Sequence, residues 1–350
     1  MIQWLILKLQ SFYIKKGTMT KKILVTGGAG FIGAHLVNEL IKKKNKVLFI
    51  DNLKTIGGIP YINPKGIFIK GDILDEKILK KIEIWKPEII YHLAAQSGGE
   101  SAYDNPKYDF ISNGYGTFLL TKLAKKIKVK HFIYSSSVAV YGSKKTKKMT
   151  ENTDINPDSI YGISKYTGEM FIKQILGKTK IKTTIFRIFN TYGPGENLNY
   201  LKKGMVSIYC SYVWKNKPIL VKGSLKRFRN YQYIDDVIKI LIKTISNKRL
   251  KKNEIFNLTT GKVTQVSDLI FLILKTANKK LKIIQKKGTE GDSFGYDASN
   301  KYLISKFRNI KFTPLKKGLE LYFKWTNSLP QNKNLKNYHP FFIKKNKKTV

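Results

Sequence analysis

Lys22-Ile23-Leu24-Val25-Thr26-Gly27-Gly28-Ala29-Gly30-Phe31-Ile32-Gly33 is the stretch on which the fold turns. An apolar run of strand character leads straight into a glycine turn and then into an amphipathic helix over residues 31–44. Gly27 turns the chain tightly, Gly30 lets the amides around Phe31 and Ile32 approach a pyrophosphate, and Gly33 lets the helix lie close to the strand. The helix N-terminus adds partial positive charge and unpaired donors for that anion. A second strand, residues 46–50, ends in Asp51, roughly 20 residues past the loop. A carboxylate there accepts from both ribose hydroxyls of an adenosine and repels a 2′-phosphate, so the expected cofactor is NAD rather than NADP.

Outward from this unit, strand and helix alternate. A third strand (66–70) ends at Gly71-Asp72-Ile73, and a helix follows over 76–85. Asp72 can reach an adenine edge or cap that helix. A fourth strand, Glu88 to Ala95, ends in Leu93-Ala94-Ala95, small enough for a ribose or nicotinamide to lie on the backbone. Residues 107–127 read as one crossover helix. The alternation predicts an α/β fold with a Rossmann-like, doubly wound parallel sheet.

The fifth strand, His131 to Ser137, delivers three hydroxyls to the edge where such sheets bind ligands. Ser159 or Asp158 caps a helix starting near Ile160, which carries Tyr161 and Lys165 one turn apart on one face. Spacing alone means little in a chain of 20 tyrosines and 61 lysines: about 3.5 such pairs are expected by chance and five occur. Only Tyr161/Lys165 follows a strand ending in serines beside a cofactor crevice. A phenol acting as base near neutrality needs nearby positive charge, which Lys165 and an oxidised nicotinamide provide. Ser137 would hold a substrate hydroxyl against Tyr161.

The ordered set Thr26 to Gly33, Asp51-Asn52-Leu53, His92 to Ala95, Ser135 to Gly142, Tyr161-Gly162-Ile163-Ser164-Lys165 and Arg187 to Gly195 resembles the successive signatures of the extended short-chain dehydrogenase/reductase family over roughly residues 21–325. Within it the likeness is closest to NAD-dependent nucleotide-sugar epimerases of the UDP-glucose 4-epimerase type. The resemblance implies tightly held NAD, a nucleoside-diphosphate sugar and a homodimer built on a helix from each subunit. It implies Ser137 and Tyr161 as the catalytic pair and Lys165 as the residue that positions the cofactor. Asn52, Asp72 and Ile73 fall on the cofactor side, Asn190 and Arg229 on the sugar diphosphate. Asp235 and Asp236 are expected to cap the helix after that arginine. Ser97 stands where some epimerases carry lysine, and Gly288 to Asp292 lacks an arginine often found before its Gly-Asp.

The sequence divides into an extension at 1–18, an NAD-binding domain at 19–195, a mainly substrate-binding α/β domain at 196–330, with 229–260 rejoining the first sheet, and a mobile basic tail at 331–350. In the extension, Ile2, Leu5, Ile6, Leu9 and Phe12 could form an interfacial anchor, but the run is too short to span a bilayer. Met19 reads as the true start.

Composition bounds the partners. The formal charge is +43, from 66 basic and 23 acidic residues, yet only five of the basic residues are arginine. Phosphate and base recognition draws heavily on arginine's planar fork. The excess therefore reads as a lysine-rich solvated surface, with no nucleic-acid partner expected. One cysteine, Cys210, allows no intrachain disulfide and suits a reducing cytoplasm. Four histidines without ligand spacing give no metal site.

Dehydratases of the family carry an Asp-Glu pair after the strand's hydroxyl, and decarboxylases a glutamate near there. Here those positions are Val138 and Ala139, which cannot transfer a proton. The expected activity is thus epimerisation of a nucleotide sugar at C4 of a UDP-hexose, through a 4-keto intermediate. A 4-ketoreductase or dehydratase is the enzymatic alternative, and an NAD-sensing regulatory protein the non-enzymatic one.

Overall fold

The computed structural model describes residues 20–54, 58–143, 148–202, 204–288, 293–330 and 338–341. Strand β1 (Lys22–Thr26) is buried from Ile23 onward, as an unbroken apolar run in a central parallel strand requires. It pairs in parallel with β2 (Lys46–Asp51) on one side and β4 (Ile89–His92) on the other. β3 (Ile67–Lys70) lies outside β2, while β5 (His131–Ser137), β6 (Lys182–Ile188) and β10 (Glu254–Leu258) extend the sheet beyond β4. All seven strands are parallel. The chain reverses its direction of travel between β1 and β4, so the crossovers diverge there and leave a crevice at the strands' C-terminal ends. This is a Rossmann-like doubly wound sheet.

Helices cover both faces. Helix α1 (Phe31–Lys42) and α8 (Ile234–Thr244) pack on one face, where Leu36, Val37, Leu40, Ile234, Val237 and Leu241 share a core. Helices α2 (Glu76–Trp85), α5 (Gly116–Lys126) and α6 (Ile160–Leu176) cover the other through Ile78, Ile82, Leu120, Leu123, Ile172 and Leu176. The cap of α2 is Asp75, which accepts from Lys77 N–H at 2.8 Å. Asp72 is therefore not the cap: its Oδ1 accepts from Leu74 N–H at 3.2 Å. Ser159 caps α6 by accepting from Gly162 N–H, and Asp158 instead accepts from Ser143 N–H.

The crossover is not one helix. A short α3 (Gly99–Asp104) is followed by α4 (Pro106–Phe110), a π turn (Ile111–Tyr115) and then α5. π turns of this kind recur at functional sites.

The remaining elements form a smaller α/β part. β7 (Asn190–Tyr192), β9 (Phe228–Tyr233) and β11 (Val263–Gln265) make a three-stranded sheet, and β8 (Ile219–Lys222) pairs in parallel with β12 (Ile283–Lys286). Helices α7 (Met205–Trp214), α9 (Val266–Ala277), α10 (Lys301–Lys306) and α11 (Leu315–Thr326) complete it. Residues 229–233 thus lie in the small sheet, and the chain returns to the large one only through α8 and β10. Asp235 and Asp236 stand in the first turn of α8 but neither caps it. Asp236 is buried and accepts from Thr313 N–H (2.6 Å) and Thr313 Oγ1 (3.2 Å), fastening the approach to α11.

A second correction concerns the C-terminal stretch. Within the expected tail, His339 is fully buried and stacks on Tyr61 at 4.8 Å, and Phe341 meets His35 edge-on at 4.9 Å. His35 in turn donates from Nε2 to Pro194 O at 2.9 Å. Four residues among lysines and asparagines carry no periodicity, so this aromatic clasp had no sequence signal. The extension at 1–18 and the segment 289–292 lie outside the described residues.

Candidate active site

The crevice holds a cleft of about 340 Å³ lined by the ends of β1, β2, β4, β5 and β6. Gly27 adopts φ +69°, and a Cβ there would stand 2.7 Å from Ala94 N. A Cβ on Gly33 would stand 2.0 Å from Gly27 O, so α1 can approach the loop only with glycine at that position. Gly30 is the N-cap of α1 and brings no side chain, which leaves the first amides of the helix facing the cleft. At the end of β2, Asp51 accepts from Ala29 N–H (3.1 Å) and Leu53 N–H (2.8 Å). Burial raises its carboxyl above the ordinary range, and these amides pull it back. Asn52 Nδ2 donates to Asp72 Oδ2 (2.9 Å) and Tyr108 OH (3.2 Å). The open amides, the glycine-narrowed floor and the carboxylate at a strand end fit a dinucleotide with free ribose hydroxyls.

The floor is held by a polar chain behind it. Ala94 N–H donates to Thr26 Oγ1 (3.3 Å), and Thr26 Oγ1 lies 2.8 Å from His92 Nδ1. His92 Nε2 lies 2.9 Å from Thr117 Oγ1, which donates to Asn113 O at 2.6 Å. Thr117 spends its one proton on that carbonyl, so His92 must carry its hydrogen on Nε2 and accept at Nδ1. Burial keeps the ring neutral, with its pKa lowered to about 3.

On the opposite wall, Ser137 closes β5 and its Oγ accepts from Ala139 N–H (3.2 Å), opening one 3₁₀ turn over Val138–Tyr141. Tyr161, on the first turn of α6, lines the same cleft as Ser137. Burial raises its phenol, the Asp109 charge raises it further, and Ser137 opposes both. Lys165 is 1% exposed, with its ammonium 4.4 Å from the Tyr134 ring centroid. Burial brings its pKa down to about 7, against the pull of Asp109 and Glu169. One turn further along α6, Glu169 takes Arg187 in a two-point pair (2.8 and 3.1 Å) and accepts from Ser136 Oγ. This buried pair fixes α6 to β5 and β6 directly behind the serines.

Every residue that the sequence assigned to cofactor or substrate lines this one cleft except Arg229. The Arg229 guanidinium is buried in the small sheet, donates to the carbonyls of Phe228, Ser293 and Phe294, and lies 5.4 Å from the Tyr296 ring. Its motif matches the family, but its side chain is engaged with main chain away from the cleft. The cleft also takes in Gly58, Pro60, Ser112, Thr191 and Glu196, which sequence reasoning missed. Also missed was the network behind Lys165. Its signal is a stripe of Asp109, Asn113, Thr117 and Thr121 at four-residue spacing, all essentially without exposure.

A sequence model of the NAD-dependent epimerase/dehydratase family matches residues 23–259. The chain belongs to that family. A Methanocaldococcus jannaschii protein bearing the provisional name UDP-glucose 4-epimerase is 35% identical over 308 residues, which is 87% of this chain and 97% of the relative. Human dTDP-D-glucose 4,6-dehydratase is 30% identical over 279 residues, covering 75% of this chain and 76% of the relative. Among solved structures, Thermotoga maritima UDP-glucose 4-epimerase with UDP-glucose superposes with a TM-score of 0.80 at 30% identity, covering 87% and 98% of the two chains. As a member of the epimerase/dehydratase family this chain is an NAD-dependent enzyme. No helix of the described residues is long and apolar enough to cross a membrane.

Proposed function

We propose that the enzyme epimerises a nucleoside-diphosphate sugar, at C4 of a UDP-hexose. One observation carries this choice within the family. The two positions after Ser137 are Val138 and Ala139, which cannot protonate a leaving hydroxyl or assist loss of a carboxylate, and Tyr141 at the end of the same 3₁₀ turn is tied to Thr150 O, Asn257 and Arg187. Proton transfer at the reacting carbon is then left to Tyr161.

Ser137 holds the C4 hydroxyl and Tyr161 removes its proton as hydride leaves the same carbon. When bound, NAD supplies the acceptor and later the donor of that hydride. Lys165, charged and pressed against Tyr134, favours the phenolate electrostatically. After the ketone turns over, Tyr161 returns the proton to the opposite configuration. Asn190, at the edge of the cleft beside β9, is assigned to the sugar diphosphate.

The test is incubation with UDP-, GDP- and dTDP-hexoses without added cofactor, followed by NMR. The expected product is a stereoisomer of equal mass from a UDP-hexose. Reduction of a 4-keto sugar only when NADH or NADPH is supplied would replace this reading with a ketoreductase. Release of water to a 4-keto-6-deoxy sugar would replace it with a dehydratase.

The enzyme is further proposed to work as a homodimer through α5 and α6. Phe110 (50% exposed) at the end of α4, Tyr115 (48%) on the π turn, and Ile163 (49%) and Met170 (47%) on α6 stand out from this side. They flank the ring series Tyr115, Phe118 and Phe171, spaced 5.8 and 5.0 Å. Exposed apolar side chains gathered on these neighbouring elements support the reading, since soluble monomers rarely leave large apolar patches uncovered. Light scattering should give a dimer, and Ile163→Lys with Met170→Glu should give a monomer; an unchanged mass would refute the interface.

A further inference from the structure

Asp109 is a buried carboxylate to which no part of the mechanism above gives a role. It is 0% exposed, and among the described residues it forms no ion pair. Its Oδ1 accepts from Ser164 Oγ at 2.5 Å and its Oδ2 from Asn113 Nδ2 at 3.1 Å. Asn113 also donates to Ser164 Oγ (3.0 Å) and to Gln96 O (3.0 Å). Ser164 immediately precedes Lys165 on α6, so the Asp109–Ser164 bond anchors this acid where α4 meets α6, with Asp109 and Lys165 both buried and within electrostatic reach of each other. A buried charge with neutral partners only is costly unless a counter-charge lies near.

The surroundings of Lys165 leave little choice of counter-charge. From β5 it meets the Tyr134 ring, and the titratable groups that act with it are the neutral His92 of β4 and Glu169 of its own helix. Glu169 is already neutralised by the two-point contact with Arg187. Asp109, reaching in from α4, is the remaining acid.

We propose that Asp109 is a positioning residue: its carboxylate, fixed by Ser164 and Asn113, keeps Lys165 in the ammonium form on which the Tyr161–Ser137 pair depends. The inference rests on the roles given to Tyr161 and Lys165 above. Its sign follows from the two groups. Burial raises Asp109 to about 6 and lowers Lys165 to about 7, each opposed by the other. Between these values the pair is carboxylate and ammonium; below, Asp109 takes a proton, and above, Lys165 loses one. Removing the carboxylate must therefore move the loss of the ammonium to lower pH.

The test uses the purified protein with its retained NAD and ¹³Cε-labelled lysines, the Lys165 signal being assigned by its absence in Lys165→Arg. In Asp109→Asn, Lys165 should titrate about one pH unit lower than in the wild type. The alkaline limb of kcat should move by the same amount with KM little changed. A purely structural role would lower kcat or stability without moving that limb. Lys165 titrating at the same pH in both proteins overturns the proposal. Should Asp109→Asn fail to fold, Ser164→Ala keeps the charge and removes one hydrogen bond to it. The acid limb should then rise by about half a unit, with the alkaline limb fixed, and an unmoved acid limb overturns the proposal equally. A shifted Lys165 titration without epimerase activity would leave the inference standing and refute the catalytic reading alone.

Discussion

Tyr161→Phe is expected to cut turnover of the sugar substrate by about 10²- to 10⁴-fold, the usual contribution of a positioned acid–base group, while the purified protein keeps its NAD. The substitution deletes one hydroxyl and nothing else: the ring still fills its place on the first turn of α6, and Lys165 still lies against Tyr134. What disappears is the hydroxyl proposed to carry the proton, at a place where the two residues after Ser137, Val138 and Ala139, carry none. Burial raises the free phenol, so the proposed proton transfer requires the positive charge of Lys165 and of the oxidised cofactor. Activity should accordingly fall as pH rises and Lys165, brought down to about 7 by burial, loses its charge. Loss of less than tenfold in Tyr161→Phe, measured at saturating substrate, would remove Tyr161 from the proton transfer.

Glu169→Gln should be the most destabilising conservative change, by about 3 kcal/mol or more, because it strands a buried guanidinium. Arg187 and Glu169 are each 4% exposed in their side chains, and their two-point contact is joined by Ser136. Arg187 also donates to Tyr141 OH (2.9 Å) and Glu151 O (3.2 Å), which remain in the variant and keep the loss near the low end. The measurement is the urea midpoint at constant slope. The double variant Glu169→Gln/Arg187→Met should recover part of the loss, since it removes the unpaired charge. A change below about 1 kcal/mol in the single variant would mean that water or Tyr141 compensates fully.

Much of the fold was legible because the informative residues act locally. A strand, three glycines, a helix and a terminal carboxylate over residues 22–51 specify their own geometry, and Gly27 and Gly33 meet the contacts expected of them. Ser137, Tyr161 and Lys165 could be singled out because a strand end and a helix start leave few places for them. What stayed hidden depends on residues far apart in sequence. Asp109 and Asn113 look like the polar side of an amphipathic helix, and only the packing of α6 shows that their side is the buried one. The π turn that aims Asn113 has no propensity signature. Arg229 sits in a matching motif, yet its direction is set by the carbonyls of Ser293 and Phe294, about 64 residues on. Asp72 and Asp75 are both fit to cap a helix, and sequence cannot rank two carboxylates three residues apart.

The aromatic clasp also has a bearing on synthesis. Tyr61 and His339 are about 280 residues apart. At 5–20 residues per second, the glycine loop and its first two strands leave the ribosome roughly 15–55 s before the ring that covers them. The nascent first unit must therefore spend that interval with Tyr61 and His35 bare. Chaperones that read exposed aromatics would find their target there, and the arrival of His339 and Phe341 would end that exposure.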